Sequence, residues 1–138
     1  MKTLMITICS LSLFILGCSK RNQIDTQNLQ GTWSGKEAGA NGAGSPSLLL
    51  QGSNLEFHGA NPQEWYKATF TLREDTTPKQ LVAIITACPV PRYIGKTANA
   101  IYQIQDGALR LTGNEPGDPA VPASFDAPNA REFVFKKQ

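Results

Sequence analysis

The chain of 138 residues sets 13 Lys and Arg against 11 Asp and Glu, and it holds three Cys and a single His. A formal net charge of +2 gives no electrostatic case for nucleic acid, which calls for a concentrated basic face. One histidine and three cysteines argue against a zinc site, which usually gathers several such ligands, and against a disulfide framework.

The amino terminus carries the first pattern. Lys2 is followed by an apolar run with a few Ser and Thr, then by Ile15-Leu16-Gly17-Cys18. The run from Thr3 to Gly17 is fifteen residues, short of the about 20 needed to span a bilayer as a helix. A basic start, a short apolar core and a small residue at the cut mark an export signal. Ile15 to Cys18 resembles the lipobox of bacterial lipoproteins. That resemblance implies cleavage before Cys18, a diacylglyceryl thioether on Cys18 and acylation of the new amino terminus. Ser19, not Asp, follows the cysteine, which resembles the signal for outer-membrane sorting, facing the periplasm. The expected organisation is a signal over 1–17, a lipidated cysteine and polar tether over 18–28, and a folded domain over 29–138.

Without Lys2 the remaining chain balances 12 basic against 11 acidic residues. It is long enough to bury a core without staples. Cys9 leaves with the signal and Cys18 takes lipid, so Cys88 stands alone and reads as a small buried apolar side chain.

Beyond residue 28 no long stretch shows a helical apolar period. Short runs with period-2 alternation recur instead, separated by Gly, Pro, Asn and Asp. The first is Leu29 to Lys36, around Trp33. A Gly-, Ala-, Asn- and Ser-rich loop covers 38–47, then Leu48 to Leu50 and Leu55 to His58 flank a turn. Trp65 to Leu72 places Tyr66, Ala68, Phe70 and Leu72 on one face. Leu81 to Thr86 is apolar on both faces, which predicts a strand covered on both sides. Ala98 to Ile104 leads into Gln105-Asp106-Gly107, a hairpin signal, and Leu109 and Leu111 face inward from the return strand. Four prolines between 114 and 130 predict a long irregular loop, and Glu132 to Lys136 is the last strand. About eight short strands joined mostly by hairpins predict an all-β, antiparallel up-and-down barrel.

Leu29-Gln30-Gly31-Thr32-Trp33 resembles the opening strand of lipocalin-like domains, in which Gly-x-Trp marks the barrel floor. Leu55-Glu56-Phe57, Ala68 to Leu72, Thr77 to Leu81, Gly95-Lys96-Thr97, Ile101 to Leu111, Pro116-Gly117, Phe125 and Phe133 to Lys137 follow in order. Their sequence and spacing resemble an uncharacterised lipocalin-like domain family expanded in planctomycetes, over nearly all of residues 28–138. The loop 38–47 departs from it by being richer in Gly and Ala. The resemblance implies a fold and assigns no activity or site.

Candidate chemistry is sparse. His58 ends a strand beside Glu56, where a solvated role fits better than catalysis. Glu74-Asp75 sits in a turn. Glu115, Asp118 and Asp126 lack the spacing of a calcium loop, and Gly39, Gly42 and Gly44 precede a strand where a phosphate cradle needs a helix. No catalytic residue, metal or cofactor is expected. Trp33, Tyr66, Phe70, Tyr102, Phe133 and Phe135 are the candidate lining of a ligand site. A small barrel either fills with side chains or holds one ligand, and the residue types alone leave both open. The expected function is non-catalytic binding of a small hydrophobic ligand by a membrane-anchored lipoprotein. The alternative is a protein-interaction or inhibitor module of the cell envelope acting through loops 38–47 and 114–130.

Overall fold

In the computed structural model, residues 24–42 and 44–138 are described. Eight strands follow the chain: β1 (Gly31–Glu37), β2 (Ser47–Gln51), β3 (Asn54–His58), β4 (Trp65–Arg73), β5 (Lys79–Ala87), β6 (Thr97–Gln105), β7 (Ala108–Gly113) and β8 (Arg131–Lys137). Each pairs antiparallel with the next, and β8 pairs back onto β1, closing a small lipocalin-like barrel. The alternation read from the sequence is the inside–outside alternation of the wall. Leu48 and Leu50, Leu55 and Phe57, and Leu109 and Leu111 are buried, while the residues between them face outward. The β6–β7 hairpin turns on Asp106 and Gly107, at φ 52° and 75°, the left-handed pair that a type I′ turn requires. At the β1–β8 seam Gly35 faces Phe135, and a Cβ there would overlap the Val134 carbonyl.

One end of the barrel is plugged. Residues 24–28, read from the sequence as the end of a tether, form a helical turn, α1 (Ile24–Asn28). It docks because its groups find partners far away in the chain. The Asp25 carboxylate accepts from Tyr102 Oη at 2.8 Å and from Lys79 Nζ at 2.7 Å, and its backbone N–H donates to Glu74. Leu29 is wholly buried, and its carbonyl accepts from Trp33 Nε1 at 2.8 Å. Burying side chains of this size contributes about 1.5–3 kcal/mol each. Lys137 Nζ donates to the Asn28 carbonyl and lies over the Trp33 ring. Residues 24–28 are therefore packed onto the barrel that the sequence places over 29–138. The signal over 1–17 and the lipobox cysteine, Cys18, lie outside the described residues.

Two further features differ from expectation. β5 is covered on one face only: Leu81, Ala83 and Ile85 are buried, whereas Ile84 is 48% exposed. The loop 114–130 is irregular, as its prolines predict, yet it is fastened to the wall. Asn114 N–H donates to Asn99 O, Gly117 N–H to Thr97 O, and Asn99 Nδ2 to Asp118 O. Pro122 is buried, and Arg110 lies 4.4 Å from the Phe125 ring centre.

Candidate functional site

The end opposite α1 is hollow. A cavity of about 440 Å³, open at this end, is bounded by the inward faces of the strands and by residues 93, 114–116 and 129 of the loops. Its origin lies in side-chain size. Ala83 of β5 stands opposite Ala98 of β6, and Ala100 of β6 opposite Gly113 of β7. Ala68 of β4 completes a wall of small residues that leaves the middle of the barrel unfilled. Across from it, Phe57 and Phe133 meet edge to face at 5.1 Å between ring centres, and Tyr66 follows at 6.2 Å from Phe57. Such pairs contribute about 0.5–1.5 kcal/mol beyond their burial, so the aromatic wall holds its shape without a filled centre.

Above these rings the inward positions become charged. Glu37 stands two residues beyond Gly35, Glu64 two before Tyr66, and Arg131 two before Phe133. Arg131 Nε and Nη2 donate to Glu37 at 2.7 and 2.9 Å, and Nη1 donates to Glu64 at 2.7 Å. This fork ties β8 to β1 and to the loop before β4. The hydrogen bonds from Arg131 hold the Glu37 carboxyl below its usual range against the opposing effect of burial. The same bonds raise the guanidinium pKa further, so Arg131 is permanently charged. Burial first, then the Glu64 charge, pushes the Tyr66 phenol up, and its hydroxyl makes no hydrogen bond to any described residue. On the other side of the mouth, Tyr93 Oη donates to Glu115 Oε1, and Arg92 lies 3.8 Å from the same carboxylate. That latch joins the 88–96 and 114–130 loops.

The six aromatic residues named from the sequence separate by depth. Tyr66 and Phe133 line the cavity. Phe70 and Phe135 belong to the packed core beneath it. Trp33 and Tyr102 lie at the plug, each spending its polar atom on α1 or the residue after it. Burial opposes ionisation of Asp25, but the hydrogen bonds from Lys79 and Tyr102 and the lysine charge outweigh it and hold the carboxyl low. Tyr102 is driven strongly upward by burial and by its bond to Asp25. Sequence reasoning missed Ala83, Ala98, Ala100, Gly113 and Arg131. The available signal was the run of small residues on the inward parity of β5 to β7.

The remaining chemistry-bearing residues lie apart from the cavity or are structurally engaged. His58 is on the outer face, half exposed, 2.7 Å from Glu56. Cys88 is buried and its thiol donates to the Val90 carbonyl. Among the described residues no three His, Cys, Asp or Glu side chains gather as a metal site. Comparison of the chain with family models, with curated proteins and with solved structures finds no match.

Proposed function

We propose that this protein is a lipid-anchored, extracytoplasmic, non-catalytic binding module that holds one small, mainly apolar molecule in the barrel. The observation that carries this reading is the open cavity of about 440 Å³ above a packed floor. Its size falls within the about 300–1,000 Å³ of ordinary ligand pockets, and its makeup matches theirs, mostly apolar with a few polar groups at one end. The non-catalytic reading rests on the placement of the sole histidine outside, against Glu56.

The anchor part rests on the lipobox at Cys18. Five residues lie between Cys18 and Ile24, a reach of about 20 Å at full extension. Because α1 closes one end and the cavity opens at the other, an anchored barrel turns its mouth away from the membrane that holds it. The alternative, recognition through loops, has weaker support, since 114–130 is fastened along the wall by hydrogen bonds.

Native mass spectrometry of the chain from Ser19 onward, which contains every element of the barrel, tests the binding reading. A reproducible added mass, lost on denaturation, is expected. A bare mass together with no uptake of a neutral apolar fluorophore would overturn it. For the anchor, Cys18→Ser should abolish lipid labelling and detergent partitioning; a variant that still partitions refutes the lipobox.

A further inference from the structure

The charge around the mouth narrows the ligand. Two of the described residues lining the cavity carry charge, Arg131 and Glu115. In many sites an inward arginine would receive an anionic head, because its planar fork matches a carboxylate. Here that fork is taken. Glu37 of β1 binds it on two nitrogens and Glu64, in the loop before β4, on the third. An incoming carboxylate would have to displace one of these partners and then sit beside both. Glu115, on the other side of the mouth, adds a third carboxylate, which accepts from Tyr93 and is answered by Arg92 at 3.8 Å. Within these two clusters three carboxylates stand against two guanidinium groups, with the Lys96 side chain nearby against Gly117. Two lining groups, the Tyr66 hydroxyl and the Asn129 amide, make no hydrogen bond to a described residue and can both donate and accept, so they do not set the sign of the head. Asn114, which lines the cavity, donates one N–H of its amide to the Ala120 carbonyl, an atom that can only accept, which fixes which end is nitrogen and leaves its own oxygen as an acceptor.

We propose that the cavity selects an apolar molecule whose head is a hydrogen-bond donor, an amine above all, and rejects anionic amphiphiles such as fatty acids. The paired state of Arg131 is the specificity device. The apolar body fills the space beside Ala83, Ala100 and Phe133, and the head lies among Glu115, Glu64 and the Asn114 oxygen, at the aqueous edge. This inference rests on the binding reading above.

The test is displacement of a neutral fluorophore, N-phenyl-1-naphthylamine, from the chain starting at Ser19, by decylamine, decanol and decanoate at pH 7. The chains are matched in length, so the head decides the order. Decylamine is expected to displace the fluorophore at a concentration at least about tenfold below decanoate, with decanol between. Glu115→Gln should narrow that gap, and Glu37→Gln with Glu64→Gln, which frees Arg131, should reverse it. Displacement by decanoate at equal or lower concentration than decylamine overturns the selectivity and leaves the binding reading standing. A fluorophore that does not bind, or that none of the three displaces, overturns both. The wild-type order alone decides the matter if the double variant fails to fold.

Discussion

At the closed end of the barrel the inward side chains form a packed core, and Asp25 is bonded across 49 to 77 residues of sequence. At the open end β5 to β7 present Ala83, Ala98, Ala100 and Gly113, against Trp33, Tyr102 and Phe135 at the closed end, and charged residues form the rim. The difference teaches that a continuous wall does not need a continuous core. Backbone pairing runs the full length of β4 to β6, while the filling stops halfway. The closed half supplies stability, so the open half can remain hollow.

Substitutions at the two ends should separate these roles. The largest effect is expected at the floor. Trp33→Ala removes a buried ring and the bond to Leu29 and should cost about 3–5 kcal/mol, read from chemical denaturation; a loss near 1 kcal/mol would mean that the floor is not the main support. Next comes a matched pair. Tyr102→Phe takes a hydroxyl from buried Asp25 and should cost about 1–2 kcal/mol, whereas Tyr66→Phe removes a hydroxyl without a protein partner and should stay within about 0.5 kcal/mol. Equal costs would erase the distinction between the halves. Ala83→Leu adds carbon to the hollow half. It should abolish fluorophore uptake while leaving stability unchanged or raised by up to about 2 kcal/mol, and a stable variant that still binds would move the site elsewhere.

The smallest effect is with acid. Asp25 and Glu37, one at each end, both have carboxyls held below their ordinary values of 3.8 and 4.5. A group that ionises more readily in the folded chain binds fewer protons there than in the unfolded chain. Its contribution is therefore complete above the ordinary value and is lost as pH falls through the lowered one. Stability measured from pH 6 to pH 2 should be level at first and decline below about pH 4.5, and Asp25→Asn should flatten part of that decline. A decline that begins near neutrality would point to other groups.

The strands were legible because alternation is local: Tyr66, Ala68, Phe70 and Leu72 announce one face within seven residues. The Asp106-Gly107 turn was legible for the same reason. Depth was not. Alternation says that Phe70 and Tyr66 face inward, but which of them reaches the cavity depends on strand direction and on what α1 fills. The hollow was equally hidden, because Ala68, Ala83, Ala98 and Gly113 lie 15 residues apart in the chain and become neighbours only through register. α1 offered no period in five residues. Asp25 reads as a solvated charge until Tyr102 and Lys79 are placed around it. Ile84 erred the other way: hydropathy suggested cover that its outward position does not have.

The seam at Gly35 has a consequence for how the molecule comes into being. Among the described residues β1 is the first strand and β8 the last, and β8 takes the place beside β1. A chain supplied from its amino end must therefore keep that edge unsatisfied until Lys137 has arrived, and an unpaired edge is open to neighbours. The absence of a side chain at Gly35 is what lets the two strands meet when that moment comes. Barrel closure thus joins strands about a hundred residues apart and waits on the arrival of β8.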